Sequence, residues 1–414
     1  MTTTRAFDHT LPQAPGLEHT LAFFRDGYGW PARTADRLGT DVFAARLRGE
    51  RTVWVRGLEA AHEFYRPGAF DRASALPRSA SHLLQDEGSV QTLDGPAHEY
   101  RRDGFLAVLN APASMDEAVR LVQEELGDAA RRWRRPTDLG GELTGVLGYA
   151  AARWVGVPAE RLDEARLHEL WLMVVRAGSV GLPNWWARAR RLRTESWARS
   201  LVSSVRDGVV ACAPDSPLAA VARWTDRAGA PLPLEVAGVE LLNLLRPFVA
   251  VALFGEMGLL AVAREPLAQQ AADGGAFADL ANEVRRRSPF FPVIGGRATA
   301  ETELLGVRVE SGQMVLLDLH GTNHHPRWWP EPYRFDPGRF ARGEGRAEHI
   351  VAQGAGEIAS GHRCPGEPLT QRLVESALKT LIRSGVGAVP DQDLRVDLSQ
   401  LPARVRGGLT VAVR

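Results

Sequence analysis

Gln353-Gly-Ala-Gly-Glu-Ile-Ala-Ser-Gly-His-Arg-Cys364-Pro-Gly-Glu367 is the stretch on which the fold turns. A glycine-rich loop here delivers one cysteine just ahead of a helix predicted over Leu369 to Arg383. The start of a helix presents partial positive charge and backbone N–H groups that stabilise a thiolate. Cys364 is therefore expected to have a lowered pKa and to be able to ligate iron. The ordinary alternative is a reduced, buried cysteine that merely follows a turn.

Working outward, Glu283-Val-Arg-Arg286 puts a carboxylate and a guanidinium three residues apart on one helix face, where they can pair. Pro337-Gly-Arg339-Phe340 ends a meander, Trp328 to Phe340, crowded with Pro, Arg and aromatic residues. From Pro112 to about Ala263 the pattern is mostly helical, with segments Ala113 to Trp133, Leu143 to Trp154 and Ala159 to Arg176. The apolar run Pro247 to Ala263 contains Glu256 and is short for a bilayer, so it reads as a buried helix. Strands are predicted at Asp41 to Arg48 and Arg51 to Val55 around Gly49-Glu50. Val307 to Val309 and Met314 to Leu319 read as a hairpin around Ser311-Gly312, and Leu394 to Leu398 with Leu409 to Val413 as a last pair of strands. No repeat or linker divides the chain. The expectation is a mainly α protein with small β-sheets: an N-terminal segment, residues 1–19, and one domain, residues 20–414.

The 414 residues carry 50 basic and 50 acidic side chains, a net charge of zero. That argues against a main task of gripping nucleic acid or an anionic membrane, and for a small-molecule partner. Cys212 and Cys364 are too few for a disulfide framework, and Met1 to Thr10 has no apolar core of a signal peptide or anchor, so the reading is reducing and cytoplasmic.

The cysteine loop resembles that of the cytochrome P450 family, and His362, Cys364 and Gly366 occupy its basic, ligand and glycine places. Glu357 and Ser360 depart from the usual Phe and Gly of that loop. Glu283-Val-Arg-Arg286 resembles the family's ExxR signature and Pro337-Gly-Arg339-Phe340 its later Pro-x-Arg-Phe segment. The resemblance implies a single-domain cytochrome P450 fold holding haem b, with Cys364 as iron ligand and with Arg72, His98, Arg102, Arg297 and His362 around the propionates. It also implies that Glu283, Arg286 and Arg339 form a structural network.

Val239-Glu-Leu-Leu-Asn-Leu-Leu-Arg246-Pro247-Phe-Val-Ala-Val-Ala lacks the acid-alcohol pair that reductase-dependent members use to deliver protons. Arg246 instead lies among aliphatic residues, before a proline that removes a helix hydrogen bond. Burying a guanidinium is costly without an anion, so a substrate carboxylate is the expected occupant if no protein carboxylate accompanies it. Glu240, six positions away, or a neighbouring acid is the alternative partner, with Arg246 then holding the fold. This stretch, with Leu317-Asp-Leu-His-Gly-Thr-Asn-His, resembles the fatty-acid peroxygenase branch of the family. The branch implies that Arg246 and Pro247 serve catalysis, that H2O2 replaces dioxygen and a redox partner, and that the substrate carboxylate moves protons.

Ser89-Val-Gln91-Thr-Leu-Asp-Gly95 aligns with the branch's distal loop. In that branch Gln at this place goes with hydroxylation and His with more decarboxylation, so the resemblance implies that Gln91 directs hydroxylation at the α or β carbon, a direction consistent with an amide that has no transferable proton. Decarboxylation to a terminal alkene and reductase-dependent oxygenation are the alternatives. Leu83-Leu84-Gln85-Asp86 is polar for an aliphatic channel and leaves a shorter or unusual acid open. Trp185-Trp186, with Arg188 to Arg193, reads either as a cover over the channel mouth or as an amphipathic surface with aromatic anchors, and carries no site role.

Overall fold

A helix that is apolar on every face has to sit inside protein, and Leu234–Arg264, 31 residues long, does so in the computed structural model, which describes residues 11–73, 75, 78–85 and 88–413. It is long and apolar enough to cross a membrane, but its neighbours bury it. Helices Leu139–Val155, Glu164–Val175, Leu182–Arg206 and Glu367–Arg383 pack around it. The helix continues through Pro247. Pro112–Arg132 is likewise one helix, whereas the expected helix from Ala159 opens with a short 3-10 turn before Glu164–Val175.

Small sheets flank this helical body. The largest has five strands in the order Val42–Leu47, Glu50–Val55, Met314–Asp318, Val293–Ala298, Phe70–Asp71. Its first pair matches the predicted hairpin. The pairing expected between Val307–Val309 and Met314 to Leu319 is not formed. All five residues of Met314–Asp318 are buried, which requires a neighbour on each side, and they pair parallel to Glu50–Val55 and antiparallel to Val293–Ala298. Val307–Val309 pairs with Thr302–Leu304 instead. The expected last pair is corrected in the same way: Val396–Asp397 pairs with Arg404–Val405, and Thr410–Val413 lies between Val386–Ala388 and Thr137–Asp138.

Residues 1–10 of the expected N-terminal segment, on which the expectation of no signal peptide or anchor rests, lie outside the described residues. Ala14 bonds to Ala44, laying the following part on the sheet. Glu283, Arg286 and Arg339 form the expected buried network. Arg286 donates twice to Glu283, at 2.8 and 2.7 Å, and Arg339 Nε is 3.3 Å from Glu283 Oε1.

Candidate functional site

Cys364 closes the glycine-rich loop. Its amide donates to Gln353 O at 3.0 Å, and Gln353 Nε2 lies 3.8 Å from the sulfur. Gly354 has φ +100°, and a Cβ there would come 2.5 Å from the Tyr65 hydroxyl, so the turn requires glycine. Glu367 secures the following helix, accepting from Arg363 Nε at 2.6 Å and from buried Arg285. Arg102 donates from Nε to Ile358 O at 2.7 Å and from Nη2 to Arg363 O at 2.6 Å. Its guanidinium therefore holds the cysteine loop, beyond the propionate role expected of it. Burial pushes the Cys364 thiol up, against the hydrogen bond of the Gly366 amide. Removal from water outweighs one helix-end amide.

A second cluster gathers three of the expected haem-binding residues. The His98 and His362 rings stack with centroids 4.0 Å apart, and His362 Nε2 is 2.9 Å from Asp94 Oδ1. Burial, then the charges of His362, Arg102 and Arg72, push His98 down to about 3. Arg72 is buried over the Phe64 ring at 4.1 Å and donates from Nη1 to Gly295 O at 3.0 Å, while its Nε has no acceptor among the described residues. Arg297 does not join them. It donates to Glu50 Oε1 at 2.5 Å and Gly312 O at 3.1 Å, at the end of its strand beside the Gly49-Glu50 turn.

On the long helix, Glu240, Asn243 and Arg246 are spaced three apart and form one polar stripe. Glu240 Oε1 accepts from Arg101 Nη1 at 2.7 Å and from the Val90 amide at 2.9 Å. Burial raises the Glu240 pKa against the hydrogen bonds of Asn243 and Arg101. Asn243 Nδ2 donates to Glu240 Oε2 at 2.8 Å and to Gln91 Oε1 at 3.1 Å, and Asn243 Oδ1 accepts from Arg246 Nη2 at 2.8 Å. Arg246 also donates to the carbonyls of Leu84 and, at 3.4 Å, Leu83. The alternative of a direct Glu240–Arg246 pair is thus replaced by a bridge through Asn243. Asn243 Oδ1 and the Leu83 and Leu84 carbonyls are neutral acceptors for this guanidinium. Asn243, Glu240 and Arg101 were not picked out as site residues from sequence. Their signal was the three-residue spacing of polar side chains in an otherwise apolar helix.

The cytochrome P450 family profile matches residues 280–384, from the helix of Glu283 past Cys364. Over nearly the whole chain, the solved structure of cytochrome P450EX alpha (CYP152N1) with myristic acid is 32% identical with a TM-score of 0.91, covering 98% of both chains. A variant of cytochrome P450SP alpha (CYP152B1) is also 32% identical, with TM-score 0.90, covering 96% of this chain and 98% of that one. The curated Arabidopsis thaliana protein cytochrome P450 81F4 is 34% identical over 109 residues, so the match spans only 25% of this chain and 21% of that protein. The chain belongs to the cytochrome P450 family, and it is similar at full length to CYP152 members.

That family implies a haem held by a cysteine thiolate, and the residues present fit one. Arg72 offers a buried N–H without an acceptor among the described residues, beside two imidazoles, a setting for an anionic group. A Cβ at Gly366 would stand 3.6 Å from Leu109 Cδ1 and 3.9 Å from the Cys364 sulfur, so Gly366 lies directly beside the ligand position.

Proposed function

We propose that this protein is an H2O2-dependent peroxygenase that hydroxylates fatty acids or related carboxylic acids at the α or β carbon, without a redox partner. Cys364 would ligate the haem iron, with Arg72, His98 and His362 around the propionates. Bound haem supplies the redox chemistry of O–O cleavage, favoured by electron donation from the thiolate.

The observation that carries the reading is the convergence of Gln91, Asn243 and Arg246, in place of an acid-alcohol pair, on the long helix. Arg246 orients the substrate carboxylate, and the carboxylate takes a proton from one peroxide oxygen and returns it to the other. Holding one end of the acyl chain fixes which carbon is presented, so regioselectivity follows from position. Gln91 Oε1 accepts from Asn243, which leaves two N–H groups and a second oxygen lone pair as its remaining capacity. An amide holds peroxide or water without transferring a proton. Pro247 removes a backbone donor from the neighbourhood of the carboxylate. The balance is R–H plus H2O2 giving R–OH plus water. Myristic acid and arachidonic acid in related structures are carboxylic acids of the proposed kind.

The test is turnover of a fatty-acid panel by purified holoenzyme with H2O2 alone, with products identified by mass spectrometry. Hydroxy acids are expected, and Arg246→Ala should keep the haem spectrum and lose this activity. A product pool dominated by terminal alkenes, or turnover only with a reductase, would overturn the proposal.

A further inference from the structure

Helix Leu182–Arg206 begins inside out. Its buried side is polar at Asn184, Arg191 and Thr194. Asn184 Nδ2 donates to Ser79 O at 3.1 Å, and Arg191 Nη2 to Gln85 O at 2.9 Å. The opposite side bares Leu182 (77% exposed), Trp185 (66%), Trp186 (47%) and Leu192 (56%) to solvent, with Val180 just before them. A surface helix of a globular protein shows the reverse arrangement, and a contiguous apolar face of this kind marks an interaction site.

The sequence around this face is rich in arginine. From Arg176 to Thr194 the sequence holds five arginines, at 176, 188, 190, 191 and 193; buried Arg191 pairs with Glu195 and Arg190 with Glu169, while Arg176 and Arg193 are exposed. The guanidinium of Arg190 lies 5.0 Å from the centre of the Trp186 ring. A net charge of zero over the whole chain conceals this local excess.

Segment 398–401 extends the apolar side. It contacts Gly178 through Leu401, and Leu398 O accepts from the Tyr28 amide at 3.2 Å. Tyr28 follows the helix Thr20–Asp26, on and before which Leu21 and Leu17 are exposed.

We propose that this face docks on an anionic lipid bilayer. Tryptophan suits the interface, having an apolar body and a polar N–H. Arginines flanking an exposed apolar stripe meet anionic headgroups while the stripe enters the boundary region. The location also suits the substrate. The buried side of the helix rests on Arg78–Leu84, whose Leu83 and Leu84 carbonyls hold Arg246. The docking face is thus one helix away from the residue proposed to hold the carboxylate of a fatty acid.

Binding to vesicles needs no turnover, so its outcome is independent of the proposed activity. The holoenzyme is sedimented with phosphatidylcholine vesicles, with or without about one-third phosphatidylglycerol. Partition onto the anionic vesicles should be about tenfold stronger, and should fall about as much when salt rises from about 0.05 to 0.5 M. The triple variant Leu182→Ser, Trp185→Ser, Trp186→Ser should lose about tenfold in partition while keeping the haem spectrum. Arg193→Glu, an exposed single change, should weaken binding to anionic vesicles alone. Equal partition of wild type and both variants would overturn the proposal. So would a wild-type dimer in sedimentation velocity that the triple variant converts to monomer, since the face would then belong to a second copy of the chain.

Discussion

Asn243 Nδ2 donates to Gln91 Oε1 across 3.1 Å, tying the long helix to the loop proposed to face the haem. The same side chain bridges Glu240 and Arg246, so it sets the relative positions of an amide, a carboxylate and a guanidinium. A side chain with both an acceptor and two donors is needed for all three links.

Asn243→Ala should therefore lower peroxide-driven kcat/KM roughly 10- to 100-fold, the equivalent of losing a hydrogen bond to a charged group worth about 1.5–3 kcal/mol. Steady-state kinetics with H2O2 and a fatty acid checks this, with the Soret band confirming that haem is retained. Unchanged kinetics would mean that the bridge serves only the fold.

Glu240 and Arg101 form a buried ion pair at 2.7 Å. Glu240→Ala would leave Arg101 buried without its carboxylate and also free the Val90 amide next to Gln91. The expected loss is about 3–5 kcal/mol of stability, read from urea midpoints. Replacing both residues by leucine should recover a large part of that loss, because no charge then stays buried. A double variant no more stable than Glu240→Ala would contradict this account.

Glu256 on the same helix gives a pH-dependent term. Burial raises its pKa to about 7 despite the attraction of Arg404, against an ordinary value of 4.5. Below pH 4.5 the group is protonated in both folded and unfolded chains and has no effect. Between 4.5 and about 7 the unfolded chain releases a proton that the folded chain keeps, so stability falls as pH rises. Above about 7 the deficit is complete, roughly 3 kcal/mol. Glu256→Gln should thus be the more stable protein at pH 8, with the gap closing toward pH 4.5. Urea unfolding of both proteins across that range measures it, and a gap independent of pH would refute the assignment.

Features set by local spacing were legible in the sequence. The loop around Cys364 and the pairing of Glu283 with Arg286 depend on a few consecutive residues, and the structure forms both. Partners chosen across the chain were not legible. Arg297 meets Glu50 from 247 positions away, and Met314–Asp318 takes two neighbours from different parts of the sequence. Alternation of side chains cannot tell which strand lies beside which. Asn243 escaped notice because a lone amide in an apolar helix is unremarkable until its partners are known. Burial of the Cys364 sulfur, which acts against the helix-end effect, is a property of the folded chain and has no local signal.

Arg72 and Arg297 separate two kinds of arginine that sequence placed together. Arg72 is buried, has an Nε without an acceptor among the described residues, and is close enough to His98 to lower its pKa. Arg297 is partly exposed and paired with Glu50. Arg72→Leu should remove a charge-assisted contact to haem propionate, worth about 1.5–3 kcal/mol, and so weaken haem retention roughly 10- to 100-fold. Arg297→Leu removes a partly exposed ion pair and should cost at most about 1 kcal/mol of stability, with haem retention unchanged. The ratio of Soret to protein absorbance after gel filtration, followed during competition with apomyoglobin, distinguishes them. Equal haem loss from both variants would return Arg297 to the haem site and show that its pairing with Glu50 gives way when haem binds.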